Sequence, residues 1–237
     1  MRTLLPILLA LLVGAFILLL LDADPLAYYG YVLKRGLLTW SGLQETIIRT
    51  APLLLIAAGL IIAFRAGIWN LGVDGQFLLA AVITAALAPE LVGALGRYPT
   101  IVVCLIVAAM VGASWSLIPA FLKARFGVNE IITTLMMSFL GISLANVLIK
   151  IPFHDPATTV PQTETLAVAD RLPRLGDTTI NSGVILAVIA VLLVHLLMTR
   201  TAFGLKLQIV GANPRAAIHA GLSVDNLTYA TFALSAG

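Results

Sequence analysis

TIVVCLIVAAMVGASWSLIPAF, residues 100–121, runs for twenty-two positions without a charged side chain. About 20 mostly apolar residues are enough to cross the ~30 Å hydrocarbon core of a bilayer, so this stretch alone reads as a membrane-spanning helix. Comparable runs lie outward from it at roughly 4–21, 50–64, 71–88, 131–149 and 182–199, and another begins near Leu227 and stops at Gly237. Of 237 residues, 60% are hydrophobic and 11% charged, with a mean hydropathy of +1.06. A soluble domain carries about 25% charged residues. Soluble enzymes, nucleic-acid binders and disordered scaffolds therefore fit this composition poorly. The 14 Lys+Arg exceed the 11 Asp+Glu, and the pI is near 9.2. In so apolar a chain that excess reads as cytoplasmic membrane flanks rather than a nucleic-acid-binding face. The expected fold is all-α: one polytopic membrane domain over 1–237, with about six full spans and the start of a seventh.

Cys104, inside the quoted stretch, is the single cysteine. It excludes an internal disulfide and any cysteine-based metal cluster, and reads as small apolar filler. The run at 4–21 follows Arg2 and could pass for a secretory signal. Its length exceeds a typical signal core, however, and Asp22-Ala23-Asp24 is no small-residue cleavage site, so it reads as a retained helix.

With a cytoplasmic N-terminus, Arg2, Arg65, Lys123, Arg125, Arg200, Lys206 and Arg215 fall inside, and Lys34, Arg35, Arg49, Arg97, Lys150, Arg171 and Arg174 outside. A raw count of seven each decides nothing. The positive-inside rule weights short loops close to span ends. Lys123 and Arg125 lie in a tight turn, whereas Arg171 and Arg174 lie deep in a loop, 151–181, that holds four prolines. The weighting favours an inside N-terminus and an extracytoplasmic 151–181 loop.

Function should show where polar groups interrupt apolar sequence, because each is costly in hydrocarbon unless it lines a cavity or finds a partner. One such place is Phe64-Arg65-Ala66-Gly67-Ile68-Trp69-Asn70-Leu71-Gly72-Val73-Asp74-Gly75-Gln76. Three glycines within nine residues favour unwound backbone, and broken helices at membrane depth mark solute sites in many transporters. A plain cytoplasmic loop with Asp74 and Gln76 solvated is the alternative. The second place is Gly127-Val128-Asn129-Glu130-Ile131-Ile132-Thr133-Thr134-Leu135-Met136-Met137-Ser138. Asn129 is a plausible N-cap and Glu130 sits at the positive end of the helix dipole. Thr133, Thr134, Ser138 and Asn146 either form a polar stripe toward a path or bond back to their own helix. His195, in an apolar run, reads as an interfacial or packing residue, and His154 and His219 are isolated. The sequence contains no nucleophile–base pairing, no metal spacing, and no phosphate loop, since Gly67–Gly75 lacks the following Lys-Ser/Thr.

After the sixth span, within a segment over 200–225, Asn213 can cap a helix that starts at Pro214 and ends at Gly221. It is too short to span and too short to stand alone. Its small face, Ala216, Ala217 and Ala220, permits close approach by a partner, with Arg215 and His219 for polar contacts. It lacks the broad apolar face of a helix lying on lipid.

Taken together, Ala66 through Gln76, Asn129 through Met136, and Gly211-Ala212-Asn213-Pro214-Arg215-Ala216-Ala217 through Ala220-Gly221 resemble the permease subunit of a bacterial ABC importer. The resemblance is to the nucleoside and simple-sugar type, related more distantly to ribose and branched-chain amino-acid permeases, and it covers nearly the whole chain. Trp69 and Asp74 stand where relatives more often have Phe and Glu. Family members carry more spans, so the resemblance implies a C-terminally truncated chain. It also implies a homo- or heterodimer of permeases in the bacterial cytoplasmic membrane, two cytoplasmic ATPase subunits that hold ATP-Mg, and an extracytoplasmic binding protein or lipoprotein. No cofactor is expected on this chain; membrane lipid is an expected partner and nucleic acid is not.

The candidate solute-path residues are Asn70, Asp74, Gln76, Asn129, Glu130 and Thr133. The candidate ATPase-coupling residues are Gly211, Asn213, Arg215, Ala216, Ala217 and Gly221. The expected activity is inward movement of a nucleoside or simple sugar by alternating access, with no catalysis on this chain. Two rivals stand beside it: an ion-driven carrier using Asp74 and Glu130, and a non-transporting membrane scaffold. An ion-driven carrier has no need of the capped helix.

Overall fold

Large apolar side chains are exposed along the long helices, and the residues enclosed between them mix small apolar, larger apolar and uncharged polar side chains. The computed structural model describes residues 4–237, and Arg2 lies outside the described residues. Along the chain α1 (Leu4–Leu20) precedes α2 (Pro25–Leu33) and a π-helical turn, Lys34–Leu38. Then come α3 (Trp40–Arg65), α4 (Val73–Leu95), α5 (Arg97–Phe126) and α6 (Glu130–Lys150). An irregular stretch with one 3₁₀ turn at Val168–Asp170 leads to α7 (Gly183–Arg200), α8 (Ala202–Ala212), α9 (Pro214–His219) and α10 (Val224–Ala236). Among the described residues the β-structure is an isolated bridge between Arg174 and Asn181.

Five helices, α3 to α7, are long and apolar enough to cross a membrane singly. Leu5–Leu20 and Pro25–Leu38 qualify only as a pair, bent by 120°. The chain is thus a multi-pass helical membrane protein, in agreement with the fold class read from hydropathy. α1 covers the run expected over 4–21 as one helix, Leu4–Leu20, and the bend follows it. Asp22 adopts a positive φ of 55° and the Asp24 carboxylate caps α2, accepting from the amides of Leu26 and Ala27. α3 also starts ten residues before the expected 50, because Trp40–Arg49 carries polar side chains on a helical backbone.

The described chain divides into two compact units. One comprises residues up to Thr50 together with Arg174–Val184. Within it the Tyr29 hydroxyl donates to the Leu11 carbonyl at 2.8 Å, holding α2 against α1. The buried Gln44 accepts at 2.7 Å from both the amide and the hydroxyl of Thr179.

The other unit comprises Ala51–Pro173 and Ile185–Gly237. Its helices approach through small residues, as is usual where lipid supplies no hydrophobic drive for association. A Cβ built on Gly59 would land on the Ser235 carbonyl, and one on Gly112 on that of Ala236, so α10 lies directly against α3 and α5. Likewise a Cβ on Gly75 would come within 2.6 Å of the Ser138 carbonyl oxygen, and one on Gly141 within 2.9 Å of Gly75 itself, which brings α4 onto α6. Ile62, Ala66, Ile68, Ala120, Met198, Leu207 and Phe232 form an apolar cluster at one end of this unit.

Candidate functional site

α3 stops where its sequence turns glycine-rich. The amide of Ile68 donates to the Ala63 carbonyl at 2.9 Å and that of Gly67 to Phe64 at 3.0 Å. This pair of bonds around a left-handed residue is a Schellman cap, and Gly67 supplies the positive φ, 70°. Residues 68–72 are then non-helical until α4 begins at Val73. The non-helical segment joins two helices that are each long enough to span singly, so it is a connection between spans, as in the loop alternative; unlike that alternative, Gln76 is buried rather than solvated.

Unwound backbone inside a protein must find partners for its amides. Here α6 takes one amide of the segment and one in the first turn of α4. The Leu71 amide donates to the Thr134 hydroxyl and the Gly75 amide to the Ser138 hydroxyl, each at 3.1 Å. Thr134 in turn donates to the Glu130 carbonyl at 2.6 Å. The Gly72 amide goes to the side-chain oxygen of Asn70 at 3.1 Å.

Asn70 is wholly buried and Gln76 is 3% exposed, and their amide groups exchange two hydrogen bonds of 3.3 Å. Asn70 donates further to the Ser235 hydroxyl on α10 at 3.1 Å. In this conformation the two side chains close on each other and brace the segment, while Gln76 and Ser235 also line a cavity of about 360 Å³ between α3, α4, α5, α7 and α10. Asp74, by contrast, is exposed in the first turn of α4.

The other candidates separate similarly. Asn129 is exposed and caps α6, its side-chain oxygen accepting from the Ile131 amide at 2.9 Å. Glu130 is not a free carboxylate, since it pairs with Lys123 at 2.7 Å across the α5–α6 turn. Thr133 bonds back to the carbonyls of Asn129 and Glu130 at 3.2 Å, as a packing hydroxyl would. Asn146 is exposed and bonds back to Ile142. The side chains of α6 that do reach the break are Thr134 and Ser138. Their spacing of four residues put both on one helix face, a signal available in the sequence.

The segment after α7 is built from local caps. The Thr201 hydroxyl accepts from the Gly204 amide, opening α8. Gln208 donates to the Met198 carbonyl at 2.8 Å, folding α8 back on the end of α7. Asn213 accepts from the amides of Arg215 and Ala216 at 3.1 Å, Pro214 is the first residue of α9, and Gly221 follows with a φ of 78°. Asn213, Pro214 and Gly221 thus occupy the local positions read for them.

Two of the coupling candidates are in different surroundings from those expected. Ala217 is fully buried within this chain, so it cannot be a partner-facing residue as the chain stands. A Cβ on Gly211 would land on the Arg65 carbonyl, so this glycine packs against the break. The outer side of α9 presents Arg215, Ala216, Ile218 and His219, all exposed.

A cleft of about 470 Å³ opens between these parts. Ala66–Ile68, Lys123, Gly127–Glu130, Val210, Pro214 and Thr228 line it. The break, the Lys123–Glu130 pair and the start of α9 therefore lie at one end of the same unit. Among the described residues no group of three His, Cys, Asp or Glu side chains is arranged to hold a metal ion.

The model of the family described as "Branched-chain amino acid transport system / permease component" matches residues 42–237. The chain is 32% identical over 232 residues to a glucose ABC transporter permease protein of Haloferax volcanii, covering 92% of this chain and 60% of that one. It is 30% identical over 232 residues to a guanosine ABC transporter permease protein of Bacillus subtilis, covering 93% and 64%. A nucleoside ABC transporter permease protein of Lactococcus lactis subsp. cremoris is 28% identical over 224 residues, covering 90% and 60%. The chain therefore spans less than two thirds of the length of each of these relatives. No solved structure matches it.

Proposed function

The chain belongs to the branched-chain amino acid transport system / permease component family, and from that premise we propose that it acts as a permease subunit of an ATP-driven importer for a nucleoside or simple sugar. The observation that carries this reading is α9. A capped, six-residue helix, too short to stand alone, presents an exposed outer face at the same end as the helix break. Such an element has little use in a carrier that works alone and a clear one as a seat for a second protein.

Charge supports the same orientation. In the larger unit the end that holds the break and α9 carries Arg65, Lys123, Arg125, Arg200, Lys206 and Arg215, and the opposite end Arg97, Lys150 and Arg171. Six cations against three favour the break end as cytoplasmic. On this reading the 151–173 stretch of the larger unit faces outside, where a binding protein or lipoprotein would deliver solute, and a cytoplasmic N-terminus stays part of the proposal. Two ATPase subunits would hold and hydrolyse ATP-Mg, and a second permease subunit, the same or different, would complete the path in the bacterial cytoplasmic membrane.

The names of the relatives, glucose, guanosine and nucleoside permeases, give the solute classes to try. An ion-driven carrier is the weaker reading, because Glu130, one of its two proposed carriers, is tied to Lys123. The test is uptake of labelled nucleosides and sugars by proteoliposomes that hold the assembled complex. Uptake should require ATP on the ATPase side and persist when protonophore and sodium ionophore collapse the ion gradients. Uptake abolished by the ionophores and indifferent to ATP would refute it.

A further inference from the structure

Gly67 and Gly211 meet backbone to backbone. A Cβ on Gly67 would come within 3.2 Å of the Gly211 Cα, and one on Gly211 would strike the Arg65 carbonyl and lie 2.9 Å from the Gly67 nitrogen. Gly67 needs its left-handed conformation for the cap of α3, so its lack of a side chain has a local cause. Gly211 lies in the last turn of α8 and has no positive φ that would call for glycine. Its reason for being there is the contact. Two residues later Asn213 caps α9, and Ala217 is fully buried, so α9 is held to the body of the chain on its inner side and free on its outer side. On the far side of the break, Thr134 of α6 holds the Leu71 amide and Ser138 the Gly75 amide in the first turn of α4.

We propose that the Gly67–Gly211 contact is the point at which movement of α9 is delivered to the helix break, so that α9 and the start of the break shift together when the ATPase changes state. The inference rests on the importer reading above. Close-packed backbones transmit displacement because neither has a side chain that can rotate aside, and packed interiors are stiff. Gly67 and Gly211 are positioning residues here: they act through the break and do not need to touch solute.

Two measurements test this in the reconstituted complex. The first is Gly211→Ala, which wedges α8 away from the end of α3. Membrane insertion and ATPase copurification should be kept, ATP hydrolysis should continue, and solute moved per ATP should fall tenfold or more. Unchanged stoichiometry would overturn the proposal. The second leaves both glycines in place and so covers the case in which the alanine variant fails to assemble. Spin labels are attached, in a Cys104→Ala background, at exposed Trp69 and Ile218, and in a second preparation at Ile218 and exposed Phe126. Between nucleotide-free and ATP-trapped states the 69–218 distance should hold while the 126–218 distance shifts. A shift in 69–218, or no shift in either pair in a complex that hydrolyses ATP, contradicts the proposal. Failure of the importer reading itself looks different: the unmodified chain would then bring down no ATPase at all.

Discussion

Asn70 concentrates more of the structure than any other single residue. Its side chain receives the Gly72 amide, exchanges bonds with Gln76 and donates to Ser235, all without exposure to solvent. Removing it strands several buried groups, each at about 1–3 kcal/mol. Asn70→Ala should therefore lower the thermal stability of the detergent-purified protein clearly, while Asp74→Asn, on an exposed residue, should change it little; thermal unfolding followed by circular dichroism compares the two. Equal midpoints for Asn70→Ala and the unmodified chain would show that the network is not formed. Gly72 illustrates a different cause. Its φ of −87° suits any residue, but a Cβ there would lie 2.9 Å from the Gln76 amide nitrogen and 3.2 Å from both the Asn70 side-chain oxygen and the Thr134 carbonyl. Gly72→Val should insert normally by membrane fractionation yet lose uptake, because its extra atoms displace the amide pair. What the sequence exposes at this scale is the type of residue, not its partner. The density of glycine with Asn70 and Gln76 marked the break, but the bonds that close it join residues 63 and 165 positions apart, from Leu71 to Thr134 and from Asn70 to Ser235. No local pattern encodes those pairings.

α9 is the element whose two sides make opposite predictions. Ala217 is enclosed by this chain and Ala216 is not. Overpacking a filled site typically costs ~1–3 kcal/mol, so Ala217→Trp should destabilise the permease itself. Ala216→Trp should leave its unfolding midpoint unchanged and weaken ATPase binding tenfold or more, a loss of ~1.4 kcal/mol or greater. Reversal of that pattern, read by unfolding and by copurification, would place the docking face elsewhere. The caps of α9 were legible because a helix start is a local matter of Asn, Pro and the next two amides. Which alanine faces inward was not, since it depends on how the segment packs against the rest of the chain. The same division runs through the larger helices. Hydropathy located α3 to α7, while the bend after α1 and the polar first ten residues of α3 escaped it, because neither is apolar enough to register. The long segment before α7 offers its own check on orientation. A cysteine replacing exposed Thr165, in a Cys104→Ala background, should react with an impermeant maleimide in intact cells, or in spheroplasts where an outer membrane blocks the reagent. Labelling confined to lysed cells would put this segment, and with it the spans of the larger unit, the other way round.

Across the whole molecule the arrangement has one recurring logic. The large apolar side chains that would be a liability in water, such as Leu12, Phe16, Ile132 and Phe139, are exposed along helices long enough to meet lipid. The enclosed interior is instead rich in small and polar residues, among them Ser116, Thr134, Thr231 and Asn70, that let helices approach and satisfy an interrupted backbone. The break, the ion pair of Lys123 with Glu130 and the capped helix then gather around one cleft at one end. An importer driven from that end would use all three, and a passive scaffold none. The most direct measurement is affinity purification of the unmodified chain from its native membrane in mild detergent, followed by assay of ATP hydrolysis with and without nucleosides and sugars. The account predicts a copurified ATPase whose hydrolysis rises when the solute and its binding protein are added. A chain recovered without any ATPase, yet still able to move solute down an imposed ion gradient in liposomes, would contradict it.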